Sequence, residues 1–300
     1  MLSYTIYGLV STADFQKCRE VHEHLRQTHS DTLRVSVVEE MPQDFYQRRE
    51  RWVKAGIAVD PTAPVVALCD GDSTALSAQG FLAKAQQLTS YRVVSVADDH
   101  PDSYVNRAQR SWLAFLRNRG NRYCWMDVQV GGQAVGRVTF EVYSKLLPRT
   151  AQNFCLLCRG DMDDVAAPGT GGTIHLSYKG TTFFRVLKDA WVMAGDISPG
   201  HTGNGGHSCY GPRFPDESFA VAHDAPGVLG MCNDGEHTNA SSFYVTRKKM
   251  SWMNGHYVAF GRVMDGMDVI DAIHDAETKH NQAPRETILI TDCGEYDVSM

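Results

Sequence analysis

The amino-acid sequence predicts two domains of different class. An α/β domain spans residues 1–95, a helical connector spans 96–120, and a β-rich domain spans 121–296. Three observations carry this reading. The chain has 300 residues, long enough for two ordinary cores. Its first ninety-odd residues alternate between strand-like and helix-like patterns. After Arg122 the apolar period becomes two: Cys124–Val130 alternates like a barrel strand, and Gly136–Tyr143 follows as its hairpin partner.

Element by element, Tyr4–Val10 reads as a strand. Phe15, Cys18, Val21, His22 and Leu25 follow at helical spacing, and Leu33–Val38 is a second strand. Phe45, Arg49, Trp52 and Val53 mark a helix that stops near Gly56. Pro64–Leu68 is a third strand, followed by a turn at Asp70-Gly71. A last helix carries Ala78, Phe81, Leu82, Ala85 and Leu88. This order predicts a small α/β domain. The connector, Ser103–Gly120, places Val105, Ala108, Trp112, Phe115 and Leu116 at helical spacing. It has no acid from Ser103 to Tyr123, against Arg107, Arg110, Arg117, Arg119 and Arg122. That arginine run reads first as a solvated face and second as a docking strip for an acidic surface such as a tubulin lattice.

Bulk properties narrow the function. The composition, 43% hydrophobic and 21% charged, is that of a soluble globular chain. A net charge of -6 argues against nucleic acid as partner. The apolar runs are too short to cross a membrane, and Met1–Val10 carries no basic leader or long apolar stretch, so neither a membrane anchor nor a signal peptide is expected. Eight scattered cysteines then read as reduced cytosolic thiols. Cys155 and Cys158 have redox-pair spacing, but with Ala151 and Phe154 they form the buried face of a helix. His201, His207 and Cys209 match no tetrahedral metal spacing. The run Gly203–Gly206 lacks the lysine and the strand-to-helix context of a phosphate cradle.

From Cys124 onward the sequence resembles the cyclophilin family across a whole domain. The blocks are Pro148–Phe154, Thr182–Val186, His201–Gly206, Tyr210–Phe214, Gly227–Asn233, Thr238–Tyr244, Trp252–Gly255, Val258–Val263 and Thr291–Gly294, in order. The resemblance implies a closed, eight-stranded antiparallel β-barrel capped by two helices, with Asp268–Ile273 in the second. The N-terminal domain resembles the thioredoxin/glutaredoxin family in element order and at Thr62–Val66, where that family opens a strand with a cis-proline, here Pro64. Its redox cysteines are missing from Ser11–Phe15, so disulfide exchange is excluded. A scaffold or docking surface remains.

The cyclophilin resemblance implies catalysis of rotation about X-Pro bonds without a cofactor, against a barrier of about 18–20 kcal/mol. The family's catalytic arginine matches Arg185, whose rigid, permanently charged guanidinium suits a bond to the prolyl nitrogen. The substrate-binding positions match Ala190, Trp191, Met193, Gly203, Cys232, Asn233, Asp234, Ser242, Tyr244, Trp252, Met253 and Tyr257. Gly203, Asn233 and Trp252 keep the family's residue. Ala190 and Tyr244 stand for pocket phenylalanines, Trp191 for a methionine and Met253 for a leucine. Met193 and Ser242 stand for glutamines, Tyr257 for a histidine, and Cys232 and Asp234 for small residues. The pocket stays apolar enough for a proline ring but loses the carboxamide that fixes the arginine. Weak or absent isomerisation is expected, with binding of proline-containing peptide or protein segments retained. The acidic insertion Asp161–Leu176 reads as a surface loop able to carry partner contacts. The whole arrangement resembles the peptidyl-prolyl isomerase-like 6 branch of the family. That resemblance implies a cytoplasmic chain in a cilium or flagellum, with axonemal proteins as partners and a structural role as the alternative to an enzyme.

Overall fold

The computed structural model describes residues 2–29, 33–69, 75–167 and 172–299. The chain divides into two compact units, Met1–Arg119 with Val298–Met300, and Gly120–Asp297. Each is described by itself.

The first unit runs β1 (Leu2–Leu9), α1 (Ala13–Thr28), β2 (Leu33–Glu40), α2 (Pro42–Lys54), β3 (Val65–Cys69), β4 (Ala75–Ser77), α3 (Ala78–Thr89) and α4 (Tyr104–Arg119). Its sheet has the order β2-β1-β3-β4, with β1 and β2 parallel and β3 antiparallel to both its neighbours. Phe15, Cys18, Val21 and Leu25 of α1 and Phe81 and Ala85 of α3 bury one face of the sheet, around Ile6, Val65 and Ala67. Phe45 of α2 packs with Leu9 and Val66, whose side chains alternate to the opposite face. Strand β4 is an addition to the sequence reading, and the expected Asp70-Gly71 turn lies outside the described residues.

Three features of this unit differ from, or sharpen, the sequence reading. Thr12, in the stretch where redox cysteines would stand, is the N-cap of α1: its hydroxyl accepts from Phe15 N and donates to Leu9 O. The Ala63–Pro64 bond is trans, so the proline at the head of β3 is not a cis-proline. The segment expected as a connector is α4, and it packs on α1: Arg107 donates to Glu20 at 2.6 Å, Ser111 to Gln16, and Trp112 and Phe115 join the core. Arg110 bonds the Pro101 carbonyl and Arg117 the Val298 carbonyl, so much of the arginine run is held internally.

The second unit contains β5 (Arg122–Val130), β6 (Gln133–Val142), α5 (Pro148–Arg159), β7 (Val165–Ala166), β8 (Thr173–Ile174), β9 (Phe183–Leu187), β10 (Trp191–Ala194), β11 (Val228–Met231), β12 (Phe243–Thr246), β13 (Ala259–Asp265), α6 (Met267–Asp275) and β14 (Ile288–Glu295). A single 3-10 turn covers Ser251–Met253. Eight strands form one antiparallel sheet in the order β14-β5-β6-β13-β11-β12-β10-β9. The barrel is nearly closed. At its seam Thr182 bridges Leu289, Ile290 N donates to Thr181 O, and Gly180 N donates to Ile290 O. Phe154 of α5 lies at the centre of the core, with the rings of Phe140, Tyr178, Phe243 and Phe260 within 5.8 Å of its own, two of them edge-on. Helix α5 has no cap from its own N-terminus. The Glu217 carboxylate supplies one from a distant loop, accepting from Arg149 N and Thr150 N at 2.9 and 2.7 Å.

All eight cysteines are free thiols, and Cys155 and Cys158 are buried core residues on α5. In the insertion, β7 and β8 form a minimal hairpin, and residues 168–171 lie outside the described residues. Among the described residues no helix is long and apolar enough to cross a membrane.

Candidate peptide-binding site

The site is built on one row of the barrel wall. Arg185 in β9 stands opposite Met193 in β10, and Met193 stands opposite Tyr244 in β12. Residues directly opposite in a sheet share a face. The alternating neighbours Val186, Val192, Phe243 and Val245 enter the barrel core, so Arg185, Met193 and Tyr244 lie on the outer face.

On the Tyr244 side the surface is packed shut. Ala190, Tyr244, Met250 and Met253 are buried in one cluster, with Leu187, Trp191, Met193, Cys232 and Tyr257 half-buried against it. The Trp191 and Trp252 rings lie 5.8 Å apart, and the Tyr257 ring is edge-on to both Trp252 and Tyr244 at 6.1 Å. Trp252 is the outermost member, 56% exposed. Met250 and Leu187 pack in the same cluster as Ala190.

The hydroxyl that distinguishes Tyr244 from phenylalanine is anchored. It lies 2.6 Å from His223 Nε2, while His223 Nδ1 lies 2.9 Å from the Asn254 side-chain oxygen. That oxygen only accepts, so Nδ1 carries the proton and Nε2 accepts from tyrosine. His223 is fully buried, and burial lowers its pKa. Burial likewise raises the tyrosine pKa. The hydroxyl end of the ring also sits so close to Gly230 that a Cβ there would overlap it.

On the other side of Met193 the surface opens into a cavity of about 320 Å³. Arg185, Met193, Gly203, Cys232, Asn233, Asp234 and Ser242 all line it. Gly203 is required here: its φ is +86°, and a Cβ would overlap the Phe184 ring. The loop from 201 to 206 is ordered from inside by Asp196, fully buried, whose carboxylate accepts from Gly203 N at 2.7 Å and Gly205 N at 3.3 Å. Those amides face a resident carboxylate, so they hold no phosphate. Asn233 ties its strand end to the His256 carbonyl. Asp234 pairs with Arg213 at 2.9 Å.

The Arg185 side chain is exposed and makes no hydrogen bond or ion pair with any described residue. The reason is the cross-strand partner. A glutamine carbonyl at 193 would accept from the guanidinium, whereas a thioether is a weak acceptor. Cys232, whose pKa is raised by burial, lies within the field of Arg185.

A family model, cyclophilin type peptidyl-prolyl cis-trans isomerase/CLD, matches residues 125–295. The chain belongs to the cyclophilin family. Two relatives carry the resemblance into the N-terminal unit. Each is described as a probable inactive peptidyl-prolyl cis-trans isomerase-like 6, one from Homo sapiens and one from Bos taurus. Both are 30% identical, over 98% of this chain and 92% and 93% of their own lengths.

In this cyclophilin domain the thirteen residues read from the sequence divide into two groups. Seven line the cavity, and Ala190, Trp191, Tyr244, Trp252, Met253 and Tyr257 form the closed patch, with Met193 and Cys232 at the boundary. The sequence reading missed Met250, His223 and Asn254 behind the closed patch, and Phe184, Arg213 and Thr238 around the cavity. One signal was available for the first group: a tyrosine hydroxyl in a buried position needs a partner. Elsewhere, His201 Nδ1 lies 2.7 Å from the Asp196 carbonyl and His207 Nδ1 2.8 Å from the Ser208 carbonyl. Among the described residues no group of three His, Cys, Asp or Glu side chains is placed to hold a metal.

Proposed function

We propose that the barrel domain binds proline-containing peptide or protein segments on the Arg185 face and accelerates X-Pro rotation weakly or not at all. One observation carries this reading: Arg185 is retained but faces Met193 across the sheet with no group to hold its fork. Mispositioning by about 1 Å costs on the order of a hundredfold in rate. The description of the two relatives as probably inactive agrees with it. Exchange NMR on an Ala-X-Pro-Phe peptide tests the reading, with Arg185→Ala as control. The expected result is peptide-induced shifts of the Trp191 and Trp252 indole resonances, with interconversion no faster than in the control. Acceleration that disappears in Arg185→Ala would restore the enzyme; absence of any shift would remove the binding function.

With catalysis lost, the chain would act as an interaction protein. We propose for it the cytoplasmic, ciliary or flagellar location of the branch it resembles, with axonemal proteins as partners. The N-terminal unit would serve there as a thioredoxin-like scaffold without redox chemistry. The β2-β1-β3-β4 order and the Thr12 cap in place of a cysteine support that part. Imaging of the tagged chain in ciliated cells tests the location, and its exclusion from axonemes would reject it.

A further inference from the structure

The sheet of the second unit nearly closes into a barrel, but the sheet of the first unit ends in an open edge. No described strand pairs with the outer side of β2, which at eight residues is as long as β1 beside it. The backbone directions along that edge follow from its neighbours. Leu9 N donates to Pro64 O, so the odd-numbered residues of β1 face β3 and the even-numbered ones face β2. The parallel register sets Tyr4 beside Val35 and Ile6 beside Val37, which joins β1 to Arg34, Ser36 and Val38. Val35, Val37 and Glu39 therefore turn their N–H and C=O groups outward. Leu33 N, on the same side, donates to His29 O and not to β1. A long, uncovered, valine-rich strand without proline or bulge is a template for another strand.

The charges beside this edge say which strand fits it. A cavity of about 540 Å³ lies against it, walled by α1, with Arg19 and Arg26, and by Val37 and Glu39 of β2. Arg19 pairs with Glu39 at 3.2 Å, which sets the middle of α1 against the C-terminal end of β2. Arg26 stands two turns further along α1, about 10 Å, or about three residues back along the strand. It is exposed and pairs with no described residue. The edge thus carries a carboxylate at one end and an unpaired guanidinium towards the other. These signs match when the incoming strand is the same strand running the opposite way; a parallel copy would set like charges side by side.

We infer that two copies of this chain pair through β2, antiparallel and centred on Val37. In that register Val35 stands opposite Glu39 of the second copy, and the outward N–H and C=O groups of Val35, Val37 and Glu39 exchange bonds with their counterparts. Glu39 of the second copy then lies beside Arg26, and symmetry makes the contact twice. Its carboxylate keeps Arg19 as well, since each oxygen accepts more than one bond. The two four-stranded sheets become one of eight strands.

Sedimentation equilibrium of the full chain decides this. The mass is expected to rise from 33.3 kDa towards twice that value, with a midpoint on the order of 10 µM for so small an interface. Val37→Pro removes the central outward N–H, a change that edge strands tolerate, and should weaken association about tenfold or more. Arg26→Glu sets two carboxylates together at each end and should weaken it about tenfold. Adding Glu39→Lys to Arg26→Glu should restore it. A thermal melt checks that each variant folds, and the change at exposed Arg26 carries the test if the proline variant does not. A mass that stays at 33.3 kDa at every concentration overturns the inference. So does a dimer that ignores both Val37→Pro and Arg26→Glu, and a double variant that stays as weak as Arg26→Glu rejects the antiparallel register.

Discussion

Met193 separates two regions that have lost the family's residues in opposite senses. On the Tyr244 side Trp191, Tyr244 and Tyr257 add bulk, Met253 keeps it and Ala190 loses it, and the side chains close over one another, with the tyrosine hydroxyl bound to His223 and that histidine bound to Asn254. On the Arg185 side Met193 and Ser242 stand where the family has glutamines, Cys232 and Asp234 stand where it has small residues, and the Arg185 guanidinium borders an open cavity with no partner among the described residues. A loss of packing can be made good by neighbouring apolar side chains, and Met250 is buried in the same cluster as Ala190. A lost hydrogen-bond partner is not repaired, since a donor needs an acceptor at a fixed distance and angle. The same degree of divergence therefore gives a packed patch on one side and an open cavity beside an unheld guanidinium on the other.

The largest expected effect separating the two regions is on acid stability. His223 has its pKa lowered by burial, and so has His274 of α6, down to about 4. A histidine depressed in the folded state leaves stability intact above the unfolded value of about 6.5. Below it the unfolded chain binds more protons, and stability falls until the folded pKa is reached. Each such group costs up to about 1.4 kcal/mol per pH unit over that window. Urea unfolding should therefore show a plateau from pH 8 to 6.5 and a decline towards pH 5. His223→Gln offers one donor to Asn254 and one acceptor to Tyr244, so it should fold and lose its share of the slope. An unchanged slope in the variant would mean that the closed patch does not depend on a neutral His223.

How far this division was legible in the sequence depends on the kind of evidence each side needs. Blocks such as Thr182–Val186 and Thr238–Tyr244 carried the barrel, because strand alternation and turn glycines are local properties. Met193 and Ser242 were also legible, as side chains with the wrong polarity at positions that matter. The hydroxyl lock was not, since His223 lies 21 residues from Tyr244 and only the pairing of β10, β11 and β12 brings them together. Nor was the collapse of Trp191, Met250 and Tyr257 into one cluster, which depends on how the Ser251–Met253 turn sits over the sheet. In the first unit the apolar stripe of α4 was visible in the sequence, but its docking on α1 joins residues far apart in the chain, such as Arg107–Glu20 and Ser111–Gln16.

The smaller effect, and the sharper one for mechanism, comes from restoring a single acceptor. In Met193→Gln the carboxamide would lie directly across the strand pair from Arg185, where its oxygen accepts from the guanidinium and fixes its plane. Position 193 is half-buried and borders open space, so the change should alter stability by less than about 1 kcal/mol. If the closed patch still admits a prolyl ring, a fixed Arg185 should raise the X-Pro interconversion rate about tenfold, a modest part of what positioning contributes. A gain in rate would tie the loss of catalysis to that one side chain. A variant that shows no gain would place the block on the other side of Met193, in the packing of Trp191 and Tyr257 with Tyr244, where no polar repair at the open side reaches it.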